Sequence, residues 1–100
     1  MTNPIAAYLR HRDTVAAFQR KLGSNLDPDA RLILAELARY GYHGRTTMQV
    51  SPQTGQVDPM AMALAEGRRD MLLRVLQLIG MPLADFDRII QEEQDNHAAE

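Results

Sequence analysis

Apolar residues recur most regularly between Asp58 and Gly80, the longest helix-compatible run in the chain. Asp58 can accept bonds from the free amides of a first turn, and Pro59 loses nothing by lacking an N–H at the first helical position. Gly80 can close the far end in a left-handed conformation. At 100° per residue, Met60, Leu64, Gly67, Met71, Val75 and Leu78 fall on one stripe, and Ala61, Leu72, Leu76 and Ile79 lie beside it. The apolar arc spans roughly half the circumference, against ~100° for an ordinary surface helix, so the spacing predicts a central helix over 59–79 with several neighbours.

Shorter patterns flank it. A first helix is predicted over 4–22 from Ile5, Tyr8, Leu9, Val15, Ala16, Phe18 and Leu22, ending at Gly23-Ser24-Asn25. Asp13-Thr14 is a potential cap that would divide it in two. Asp27-Pro28 starts a second helix over 28–40, where Ala30, Ile33, Leu34, Leu37 and Tyr40 form the inward stripe, Arg31, Glu36 and Arg39 point away, and Gly41 ends it. Leu32 lies off that stripe. Leu83, Phe86, Ile89 and Ile90 mark a last helix over 83–93, with Asp85 and Asp87 suited to its first turns. Residues 94–100 lack large apolar side chains and are expected to fray, leaving 1–93 as one domain. Residues 41–57 have no helical period; this long loop either drapes over the bundle or forms a small hairpin, with Thr46–Val50 β-favourable and Ser51–Gly55 a turn. The fold class expected is all-α, a small bundle of about four helices with a long central loop.

Two residues in the longest run need a reason. Gly67 costs about 1 kcal/mol relative to alanine in a helix interior, which suggests that another backbone passes close to it. Arg68 points into the apolar arc and must snorkel, pair with a carboxylate of its own chain, Glu36 being one choice, or meet another subunit. The intramolecular pair is the expectation.

Composition adds constraints. The formal charge is −2, yet residues up to Leu26 hold Arg10, Arg12, Arg20 and Lys21 against Asp13, whereas six acids from Asp85 onward face only Arg88. With no cysteine, disulfides and thiolate-bound metals are excluded. The opening residues lack a signal-peptide layout and no run approaches the ~20 apolar residues of a membrane span, so synthesis in the cytoplasm is expected. His11, His43 and His97 lack metal-ligand spacing, and Glu66 and Asp70 sit beside Arg69 and Arg74 as a solvated ion-pair face rather than a catalytic dyad. Gly41 and Gly44 do not lead into a phosphate loop. The basic start followed by a turn and helix superficially suggests DNA binding, but the second helix mixes Arg31 and Arg39 with Asp29 and Glu36.

The segments Val15–Phe18, Leu32–Tyr40, Asp58-Pro59 and Ala65–Ile79 resemble a family of small tailed-phage structural proteins, the Bbp19-like phage proteins. The sharpest element is Glu66-Gly67-Arg68-Arg69 before an aliphatic helix; Ser51–Gly55 makes the loop longer than the usual form. The resemblance implies a podovirus-type virion or assembly protein near the portal or head-to-tail connector, without enzyme activity or cofactor. Such a protein would sit in the host cytoplasm and then in the virion, and an internal or ejected virion protein or a small DNA-packaging protein are the alternatives. Its partners would be a portal or other head or tail protein and further copies of itself, with DNA contact less favoured and no membrane. The contact residues expected are Arg10, Arg12, Tyr42, Arg45, Met48, Arg68 and Arg69, with Gly67, Asp58, Pro59 and Gly80 structural.

Overall fold

A computed structural model describes residues 3–23 and 27–98. The expected stop at Ser24-Asn25 and the final residues of the expected tail, 99–100, lie outside them. The chain is all-α: α1 (Pro4–Phe18) runs into a π-helical turn (Gln19–Gly23), then α2 (Pro28–Tyr40), the long loop, α3 (Pro59–Ile79) and α4 (Leu83–Ala98).

Helix starts follow the local chemistry. Asn3, Asp27 and Asp58 each cap a helix that opens with proline, through Ile5 N–H at 2.9 Å, Ala30 N–H at 2.8 Å, and Met60 and Ala61 N–H at 3.1 Å. Gly80 closes α3 at φ 76°. Asp13-Thr14 does not divide α1, because the Thr14 hydroxyl donates to the Arg10 carbonyl one turn back at 2.8 Å and the helix passes through. The last helix continues past the expected end at residue 93. Polar pairs one turn apart, Arg88–Glu92, Gln91–Asp95 and Glu93–His97, tie its surface together where no apolar residue does.

Leu34, Ala38, Leu72, Leu76, Ile79, Phe86 and Ile90 form the core, with Phe18, Leu22, Val75 and Met81 packed around it. The central place is shared: α3 meets α1, α2 and the π turn and supplies Leu72, Leu76 and Ile79 to the core, and α2 meets α3, α4 and the π turn. The buried line of α2 is Ala30–Leu34–Ala38, a strict four-residue repeat, while Ile33 and Tyr40 from the expected stripe stand exposed alongside Leu32. Two alanines in that line let α4 lie close. Arg31, expected to point away, is drawn beside α4 by Glu92 at 2.5 Å and Glu93 at 3.7 Å.

Gly41 is the glycine that a close approach requires. A Cβ there would stand 2.6 Å from Leu72 Cβ and 3.0 Å from the Leu37 carbonyl, so the loop can leave α2 across α3 only without a side chain. Nothing lies within 4 Å of a Cβ built on Gly67, so no backbone among the described residues accounts for that glycine.

The molecule measures 52 × 46 × 19 Å with a radius of gyration of 16.9 Å. A compact chain of this length has about 13 Å. The excess reflects open packing, visible in α1, which has no buried residue and leaves Ile5, Tyr8 and Leu9 exposed.

Candidate interaction face

The central loop is tied down rather than loose. From α3, the Arg69 guanidinium donates to the Tyr42 carbonyl at 2.9 Å and also to the Arg45 carbonyl. Arg45 stacks over the Tyr42 ring at 4.7 Å and donates to the Arg39 carbonyl at 2.5 Å. These contacts hold Tyr42 at φ 58°, a left-handed conformation that costs a side-chain-bearing residue roughly 1–2 kcal/mol. Further along, buried Thr47 donates to Glu66, and His43 pairs with Asp87 while its ring meets Phe86 edge-on at 4.7 Å. The loop then turns as a minimal hairpin, with a single antiparallel bridge between Val50 and Val57 and an Asp58 N–H to Gln49 carbonyl bond of 2.7 Å.

This arrangement separates the expected contact residues. Tyr42, Arg45 and Arg69 are engaged inside the molecule; Met48 is exposed on the loop, and Arg10 and Arg12 are exposed on α1. Glu66 and Arg69, read as members of a solvated ion-pair face, are the loop's two anchors on α3. The apparent signal was that one helical turn carried an acid and two arginines, but the sequence does not say which of them a loop will cross.

Arg68 does not pair with Glu36. Glu36 is held instead by Arg39, Nη2 to Oε1 at 2.5 Å and Nε to Oε2 at 3.1 Å, and that hydrogen bond keeps its carboxyl below the usual carboxylate range. The Arg68 guanidinium carbon sits over the Tyr40 ring, 4.3 Å from its centroid, and its Nε is buried without a hydrogen-bond partner among the described residues. Stacking on an exposed aromatic ring is worth about 0.5–1 kcal/mol, and an unmade bond to a buried charged donor costs at least as much. Tyr40, on the expected inward stripe of α2, is instead half exposed and serves as the platform for this cation.

Beside Arg68 the apolar stripe of α3 is bare. Met60 is 84% exposed, Leu64 61% and Met71 64%, with Gly67 among them. The buried face is one side step away, at Ala65, Leu72, Leu76 and Ile79. On the helical wheel the bare stripe is roughly opposite Glu66 and Arg69, so it faces away from the loop. Asp70 flanks it and makes no ion pair among the described residues.

Among the described residues no group of three or more His, Asp or Glu side chains could hold a metal ion. The cleft between α2 and α4, about 830 Å³, brings His43, Asp87, Glu93 and His97 to its walls, but each is taken up in a pair. No described helix is long and apolar enough to cross a membrane.

Compared with known families, the chain matches the Bbp19-like phage protein family over residues 25–91 and belongs to it. The matched span covers α2, the loop, α3 and most of α4, and leaves out α1. No curated protein and no solved structure matches the chain.

Proposed function

We propose that this Bbp19-like phage protein is a non-enzymatic virion or assembly component that works through protein–protein contacts at or near the portal and head-to-tail region. The observation that carries the reading is the bare α3 face, where Met60, Leu64 and Met71 surround Gly67 beside Arg68, which has no carboxylate partner among the described residues. Large exposed apolar side chains next to Arg and Tyr have the composition of protein-contact hot spots. The location at the portal draws on the family resemblance. Quantitative mass spectrometry of purified virions tests it: the chain is expected at a fixed ratio to the portal protein. Abundant chain in infected cells with none in particles would count against a virion component.

One observation favours a second reading. Arg10, Arg12, Arg20 and Lys21 are all exposed, which suits DNA binding through the first helix and the π turn. That reading requires affinity for duplex DNA that falls steeply with salt, about 0.9 log units per log unit of salt for each phosphate contacted.

A further inference from the structure

The apolar stripe of α3 is continuous, but its own chain covers only part of it. Val75 and Leu78, near the end of α3 where Phe18 and Leu22 pack, are half buried; Met60, Leu64 and Met71 are not covered. The first helix shows the complementary deficiency. Ile5, Tyr8 and Leu9 recur at helical spacing and remain exposed on its outer half.

We propose that the outer half of α1 from a second copy of this chain lies on the bare half of α3, reciprocally, so that the protein is a two-fold dimer.

Charge supports this occupant. Arg68 and Asp70 stand on opposite sides of the bare α3 stripe, neither with an ion-pair partner among the described residues. One turn beyond Tyr8 and Leu9, α1 presents Arg12 and Asp13 as neighbours, joined to each other only by an exposed contact of 3.4 Å. Docked together, Asp13 of one copy supplies the carboxylate that Arg68 lacks, and Arg12 reaches Asp70. The acidic α4 is a poorer occupant because Asp87, Glu92 and Glu93 are already bound by His43, Arg31, Arg88 and His97. Gly67, where no other described segment comes within 4 Å of an added Cβ, removes a side chain where the second helix would cross.

Area favours reciprocity. Taking roughly 200 Å² for a fully exposed large residue, the six uncovered side chains on α1 and α3 present on the order of 700 Å² per copy. A two-fold arrangement buries both patches on both copies, roughly 1,500 Å², within the range of stable interfaces; a one-way contact buries about half of that and falls below it.

Sedimentation equilibrium of the full chain over a concentration series tests the proposal. Wild type is expected to pass from the 11.2 kDa monomer to a species of twice that mass. Leu64→Glu should weaken the association at least about thirtyfold, the loss typical of a central contact residue, while its melting in dilute solution stays that of wild type. Arg68→Asp should weaken it as well, and adding Asp13→Arg should restore much of the loss. A wild type that remains monomeric throughout, growth past the dimer, a Leu64→Glu chain that associates like wild type, or a double variant no better than Arg68→Asp would each overturn it. These measurements use isolated protein, so a monomeric result leaves the virion proposal to be judged by its own test.

Discussion

Residues Met60–Met71 and Leu72–Ile79 belong to one helix with one apolar repeat, yet the two halves do different work. In the second half Leu72, Leu76 and Ile79 join the core, Val75 packs against it, and Gly80 ends the helix. In the first half only Ala65 is fully buried; Arg69 and Glu66 hold the loop on one side, and Met60, Leu64 and Met71 stand largely exposed on the other. The contrast shows that a wide apolar arc records how much surface a helix offers, without saying whether its own chain provides the cover. In a 100-residue protein with an open, flat shape, part of that surface is left for another molecule.

Substitutions can break the contrast from either side. The largest effect is expected at Leu72, where Leu72→Asp places an unpaired carboxylate in the core. Several kcal/mol against a total of about 5–15 should abolish the cooperative thermal transition seen by circular dichroism. Gly41→Ala is next. The added methyl meets Leu72 Cβ at 2.6 Å and should cost about 1–3 kcal/mol, read as a lower denaturation midpoint in urea.

Arg69→Ala sharpens the loop side of the comparison. Freeing the Tyr42 and Arg45 carbonyls should cost roughly 1–3 kcal/mol and speed proteolysis within 41–57, while helical circular dichroism is retained. The smallest effect is expected at the exposed Glu36–Arg39 pair. Because Arg39 holds the Glu36 carboxyl below its usual range, the pair's contribution is present above the ordinary carboxylate pKa and is lost as pH falls through the lowered folded value. Both side chains are largely exposed, so solvent screens the pair, and the acid limb of a melting-versus-pH curve should barely differ between Glu36→Gln and wild type.

Much of the fold was legible because its signals are local. Asp27-Pro28 and Asp58-Pro59 start helices and Gly80 stops one through bonds to the nearest turn, so two residues suffice to read each boundary. The end of α4 was harder, since polar pairs four residues apart stabilise it without any apolar residue to betray a buried face. Faces were less legible than elements. In α2, Ala30 and Leu34 of the expected stripe are buried, but the line continues through Ala38 rather than through bulkier Ile33 and Tyr40, because the closeness of α4 selects for small side chains.

The site depended most on what a sequence cannot express, the path of the loop. Arg68 and Arg69 are adjacent in the chain and differ by 100° on the helix. Crossing of the loop on one side gives Arg69 two carbonyls, while Arg68 is left with the Tyr40 ring and an unsatisfied Nε. The close approach expected at Gly67 falls at Gly41 for the same reason: it occurs where the loop departs from α2, and Gly67 faces outward.

The division of α3 is tested most directly by melting Leu64→Asp in dilute solution, where association is suppressed. A charge on a bare face changes stability by about 0.5 kcal/mol or less, so the midpoint should lie within about 4 °C of wild type. Loss of the cooperative transition, the outcome expected for Leu72→Asp, would mean that Leu64 belongs to the core and that the first half of α3 is not a free face.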